Sequence, residues 1–256
     1  MKSFKEFIKS EKVETDKDGT PILNTVFGQH SKKSEKVETD KDGTPIQNTV
    51  FGKHSINENI DKLGKELEKH YRFSHKKDLD AIRDYTYTSY PVNSHLHRKT
   101  TGQLRPLEKE HELVKPMDEA LNRHKTPKEL TVYSGVRHSP EHAIKHAGDE
   151  KHGVITKTSN YTSASLDPNK AAEFTDHDTK SKYNEKFGNF VGHILKIHVP
   201  KGHPGAYVDH HSSHKGEKEF ILPHNTRMHI HPNPEYDKGT GNMIWNAHVL
   251  PHKGKE

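Results

Sequence analysis

The 256-residue chain has no cysteine and a single tryptophan. Without thiols it has no disulfides, and no thiolate can serve as nucleophile or metal ligand. Apolar residues are scarce too, at 28% of the total with 7% aromatic, and the mean hydropathy is −1.09. That is too little for every segment to share in a core, so part of the chain is expected to stay unfolded. No apolar run approaches the roughly 20 residues a membrane span needs. The start, Met1-Lys2-Ser3-Phe4-Lys5-Glu6-Phe7-Ile8, lacks the apolar stretch of a secretory leader, so a protein soluble where it is made is expected. What the chain has in quantity is charge and imidazole: 41 Lys and Arg, 36 Asp and Glu, and 24 His. The net charge of +5 permits acidic partners without requiring them. No nucleic-acid-binding motif stands out.

Residues 1–55 carry a tandem repeat with a period of 24 residues. Lys9 to Ile22 recurs as Lys33 to Ile46, and Asn24-Thr25-Val26-Phe27-Gly28 as Asn48-Thr49-Val50-Phe51-Gly52. Two copies are too few to bury a core between them, and each is charged and broken by Asp-Gly and Thr-Pro steps. A flexible arm is expected, with Val26-Phe27 and Val50-Phe51 as docking elements for a partner. Asp16-Lys17-Asp18-Gly19 has its glycine too early for a calcium loop, and no glutamate closes it. Calcium is excluded.

From residue 56 to 256 the pattern is that of one folded domain. Ile60, Leu63, Leu67 and Tyr71 recur at helical spacing, and so do Leu79, Ile82 and Tyr85 up to a stop at Pro91. Pro116 opens a third helix from Met117 to about Arg123. Leu130 to Tyr133 reads as a strand. Ser139-Pro140 and Asp167-Pro168 each join an N-cap to a proline at the first helical position, and Gly148 supplies a stop. Strands follow at His193–Val199, Glu219–Leu222, Arg227–His231 and Ile244–Leu250. Helices first and strands later predict an α+β fold.

The segment Gly216-Glu217-Lys218-Glu219-Phe220-Ile221-Leu222-Pro223 places two carboxylates two residues apart at the entry to an apolar run. Strand periodicity would put both on one face. Such a pair can divide its tasks, one group stabilising a developing cation and the other activating a nucleophile. About fifty residues upstream lies Tyr161-Thr162-Ser163-Ala164-Ser165. His210, His211 and His214, with His229 and His231, have spacings that zinc sites use, but histidine is scattered over the whole folded part. No metal is expected.

These segments carry a resemblance. A strand ending near an arginine, an aromatic-x-Ser-x-Ser segment and a Glu-x-Glu strand, in that order, resemble the arginine-directed mono-ADP-ribosyltransferases of the exoenzyme toxin group. His193 to Gly202 followed by Gly216 to Pro223 is similar to the tailed-bacteriophage branch. Asp80 to Thr86, with Asn93 and Leu96, resembles the N-terminal helical lobe. The resemblance implies a pair of packed antiparallel sheets with NAD, the substrate, in the cleft between them. It implies that Glu219 stabilises the oxocarbenium-like transition state, that Glu217 orients or deprotonates a target arginine, and that Ser163 holds Glu219. Ser165 would support the strand, Tyr161 would pack by the nicotinamide, and the loop Asp209 to Gly216 would recognise the protein substrate.

Where the family has aromatic-Arg-Gly, this chain has Tyr133-Ser134-Gly135. Arg137 is expected to take the place of the missing arginine toward NAD, with Gly135 breaking the strand, and Ser134 to lie in the same subsite. The partners implied are a host protein with an exposed arginine and a virion component bound through the arm, in the phage particle or the host cytoplasm. Two other functions fit the same residues: a catalytically degenerate fold kept as a virion component, and an NAD glycohydrolase.

Overall fold

The computed structural model describes residues 22–23, 56–105, 107–136, 139–149, 151–175, 183–184 and 189–251. The tandem repeat lies outside them except for β1 (Ile22–Leu23). Four helices follow β1: α1 (Ile56–His70), α2 (Lys76–Tyr87), α3 (Tyr90–Thr100) and α4 (Val114–Arg123). The apolar stripe of α1 does what its spacing predicts. Ile60 and Leu67 are buried, Tyr71 is buried just beyond the helix end, and Leu63 packs on the cluster they form. Ile82 and Tyr85 are the buried stripe of α2.

Pro91 differs from expectation. It opens α3 instead of ending a helix, because a proline in the first turn lacks an N–H that would have no intrahelical partner anyway. For the same reason Pro116 sits inside the first turn of α4, which begins two residues earlier. Arg123 of α4 donates through Nη2 and Nε to the carboxylate of Asp78 on α2, which is buried, and so ties the two helices together.

The strands follow, with two helices among them: β2 (Leu130–Val136), α5 (Pro140–Ala147), β3 (Val154–Thr158), β4 (Thr162–Ser165), α6 (Pro168–Glu173), β5 (Tyr183–Asn184) and β6 (Asn189–Phe190). Then come β7 (Gly192–Val199), β8 (Ala206–Tyr207), β9 (Glu219–Leu222), β10 (Arg227–Ile230), β11 (Glu235–Asp237) and β12 (Asn242–Val249). The expected caps form. Ser139 Oγ accepts from the Glu141 N–H at 3.2 Å, and Asp167 Oδ1 from the Asn169 N–H at 3.0 Å.

The hydrogen-bonded strand order is β1-β3-β10-β12-β7-β2-β4-β9-β8, with β11 on β12 and β5–β6 as a separate hairpin. Most neighbours are antiparallel, but β12 and β7 run parallel, as do β1 and β3. The path has two halves, β3-β10-β12-β7-β2 and β4-β9-β8. The joint between them is one residue pair wide, Tyr133 opposite Ser165. One core cluster takes in the helical lobe and both halves. Among the described residues no helix is long and apolar enough to cross a membrane.

β2 runs unbroken through Gly135, which pairs with Ile194 of β7, as Val136 pairs with His193. The expected break at this glycine does not occur. Gly135 is needed for a different reason: a Cβ there would lie 2.9 Å from the carbonyl oxygen of Ala171 and 2.9 Å from the carbonyl carbon of Phe174. The missing side chain lets α6 lie directly on the strand.

Candidate active site

All four residues of β9 are buried. The register sets Ser165 of β4 opposite Glu219 and Ser163 opposite Ile221, so Ser163 reaches Glu219 along the diagonal of the pair. Ser163 hydrogen-bonds the Glu219 carboxylate, and Ser212 Oγ donates to Glu219 Oε2 at 3.3 Å. Burial pushes the Glu219 carboxyl up to about 7. The Ser163 and Ser212 hydrogen bonds pull it down, while the charges of Glu217 and Asp209 raise it further.

Ser163 is held in turn from the helical lobe. Tyr85 OH lies 3.2 Å from Ser163 Oγ, and Asn93 Nδ2 donates to Tyr85 OH at 3.2 Å. A consistent donor order runs from Asn93 through Tyr85 and Ser163 to the carboxylate. Asn93 Oδ1 is buried with no partner.

Glu217 stands at the lip, half-buried, two residues before Glu219. The two carboxylates do not share a face through strand periodicity, because β9 starts at Glu219 and Lys218 between them has φ 52°. A fixed turn brings them together. Asp209 Oδ1 accepts from the Gly216 N–H at 3.0 Å and the Lys218 N–H at 2.7 Å. Ser165 Oγ donates to the Glu217 carbonyl at 2.6 Å. Lys218 Nζ pairs with Asp61 of α1 at 2.8 Å, which holds the Asp61 carboxyl below its usual range. The loop Asp209 to Gly216 is docked on α2, where the Ser213 N–H donates to Thr86 Oγ1 at 3.0 Å.

Two expected cofactor contacts are placed differently. Tyr161 is 1% exposed, and its hydroxyl donates to the Val114 carbonyl at 2.9 Å and to Asp118 Oδ1 at 2.7 Å. It holds α4 to the sheet and supports Tyr85 edge-on at 5.4 Å, with no face open to a nicotinamide. Ser134 is buried, its Oγ donating to the Ser163 carbonyl at 2.9 Å, so it bridges β2 to β4 behind the site. Ser165 is buried as well; besides donating to the Glu217 carbonyl, its Oγ accepts from the Asp167 N–H at 2.9 Å. Arg137 lies outside the described residues. Ser163 and Glu219 meet, and Glu217 is close enough for its charge to act on Glu219.

Tyr85 and Ser212 are site residues that the sequence does not announce. Tyr85 falls in an apolar stripe that accounts for it as core, and Ser212 lies in a loop without periodicity. Among the described residues no three His, Asp or Glu side chains gather as a ligand set for a metal ion.

Residues 49–252 match the family model described as ADP-ribosyltransferase exoenzyme. A curated relative, the NAD(+)-arginine ADP-ribosyltransferase EFV of Enterococcus faecalis, is 26% identical over 161 residues, which are 60% of this chain and 28% of the relative. The chain thus spans less than a third of that relative's length. Among solved structures, Plx2a, an ADP-ribosyltransferase toxin from Paenibacillus larvae, is 22% identical with a TM-score of 0.54, covering 76% of this chain and 96% of that one. C3stau2 from S. aureus with NAD is 20% identical with a TM-score of 0.54, covering 78% and 99%. These likenesses show the fold.

Proposed function

This chain belongs to the ADP-ribosyltransferase exoenzyme family, and we propose that it moves a single ADP-ribose from NAD to an arginine side chain of a protein. The observation that carries this reading is the buried Glu219 carboxylate, held by Ser163 and Ser212 with Glu217 at the lip beside it. Once ionised, Glu219 places a negative charge in a site shielded from water. That charge stabilises the cation that forms as the bond between ribose C1′ and the nicotinamide nitrogen breaks. The electron pair of that bond leaves with nicotinamide. A guanidine nitrogen of the target then bonds to C1′, and the proton it sheds passes to Glu217.

Arginine as acceptor is supported by the Glu-x-Glu arrangement and by the activity for which the Enterococcus faecalis relative is named. The resemblance to the tailed-bacteriophage branch supports a host protein as the target. The loop Asp209 to Gly216, fixed on α2 beside both carboxylates, is the surface assigned to that protein.

Two substitutions test the division of labour. Glu219→Gln should lower nicotinamide release by on the order of a thousandfold, since the lost charge acts in the transition state. Glu217→Gln should abolish labelling of arginine while NAD hydrolysis persists. Equal loss of both activities in a folded Glu217→Gln protein would overturn the assignment, and so would transfer to a residue other than arginine.

A further inference from the structure

The five-stranded half has a second face, turned away from Met228, Ile230, Ala247 and Val249 in the core. Strand register sets His229 of β10, His248 of β12 and His198 of β7 side by side across three adjacent strands. The rings of His198 and His248 stack at 4.7 Å with 20° between their planes. His231 packs against His248 at 4.9 Å and against His229 at 4.7 Å. A cavity of about 660 Å³ opens on this row, bounded by Lys151, His152, His229, His231, Asn246 and His248 together with Pro232 and Asn233. Among the described residues no carboxylate bounds it. His231 Nε2 is buried there without a hydrogen-bond partner.

The facing charges are mostly of one sign. Alternation puts Arg227 on the side of β10 that carries His229, and Lys196 on the side of β7 that carries His198, with Lys157 of β3 opposite Arg227. The nearby acids are engaged or set apart. Asp149 is bonded to His152 Nδ1 at 2.6 Å, and Glu173 of α6 to Lys170 at 2.9 Å. Glu235 of β11 stands level with Ile244, one row beyond Asn246 on β12, and the exposed Glu129 lies just before β2, two residues from Thr131, which stands opposite His198 outside the lining of the cavity. Only His198 and His248 stack, the other pairs being tilted or edge-on, and among the described residues no three of these side chains gather as a ligand set for a metal ion.

We propose that this groove is an anion site for a ligand carrying more than one phosphate, and that the ligand and protons bind together. Phosphate oxygens supply a counter-charge to protonated imidazoles in a row with lysines and an arginine around them. Burial, with the neighbouring histidines, holds His198 and His231 below the ordinary imidazole range. A bound polyanion reverses that balance and draws protons in.

The test is calorimetric titration of the full chain with inorganic tripolyphosphate at pH 6.0 and 8.0, with a double variant separating groove binding from binding in the catalytic cleft. Binding at least tenfold tighter at the lower pH is expected, with heats that depend on buffer ionisation and so report proton uptake. The double variant His231→Gln with His248→Gln should lose this binding and keep nicotinamide release. A parallel titration with a short single-stranded oligonucleotide separates the sources of phosphate: tighter binding of the oligonucleotide marks a polymer ligand, and equal or weaker binding a small one. In the unaltered protein, imidazole proton resonances followed by NMR should titrate at higher pH once tripolyphosphate is added, a readout that does not require any variant to fold. Binding independent of pH, or unmoved imidazole titrations, would overturn the proposal.

Discussion

Glu219 shows how one residue can oppose the fold that holds it. Its carboxyl is raised to about 7 by burial, so the folded state binds a proton that the unfolded chain releases near its ordinary value of about 4.3. Stability from this group is therefore full below about 4, falls as pH rises through 7, and leaves an ionised group held at a disadvantage of up to about 3 kcal/mol above that. Two outcomes follow. Nicotinamide release should rise with pH along a limb centred near 7, because the ionised form stabilises the cation. Glu219→Gln should be inactive and yet melt higher than the parent at pH 8, with the gap closing at pH 5. A lower melting temperature at pH 8 would show that the Ser163 and Ser212 contacts outweigh the buried charge. The identity of the carboxylate was legible in the sequence, whereas the cause of its proximity to Glu217 was not. Strand periodicity predicted a shared face, and the left-handed Lys218 replaces it with a turn.

At the scale of elements, the stripes of α1 and α2 and the two proline-capped helix starts were legible because each is a local pattern. What was not legible depended on partners remote in sequence. Pro91 could end one helix or begin the next, and β8 is two residues long with no period of its own. Ser134 was assigned to NAD, but its hydroxyl reaches across to the Ser163 carbonyl, a contact no spacing reports. Gly135 is the sharpest case, since its requirement comes from α6 lying on it. Gly135→Ala must push the backbone of Ala171 and Phe174 away, at a cost of about 1–3 kcal/mol. Thermal melting should record the loss, together with a fall in activity if β2 shifts under Ser163. An unchanged melting temperature would mean that α6 is free to move.

At the scale of the molecule, the histidines set the response to acid. Burial is the largest cause lowering His124, His198, His210, His211 and His231, with His211 down to about 4. Each takes up a proton more readily in the unfolded chain, so stability falls as pH drops through the ordinary imidazole value of about 6.5 and continues to fall until the folded values are passed. Glu219 has the opposite sign over part of this window, but it is one group against five. The melting temperature, without added polyanion, should fall by several degrees between pH 7.5 and 5.0; a rise would mean that the carboxylate dominates. The narrow joint at Tyr133 and Ser165 has a consequence for how such a chain can evolve. The strand pairing between the catalytic half and the histidine-bearing half is that one pair plus the Ser134 hydroxyl, while their side chains share one core. Drift on the outer, histidine-bearing face, which is turned away from that shared core, is thereby insulated from selection on the catalytic side. A gene library randomised at His198, His229, His231 and His248 should return mostly clones that still cleave NAD, while one randomised at Ser134, Ser163 and Ser165 should return few.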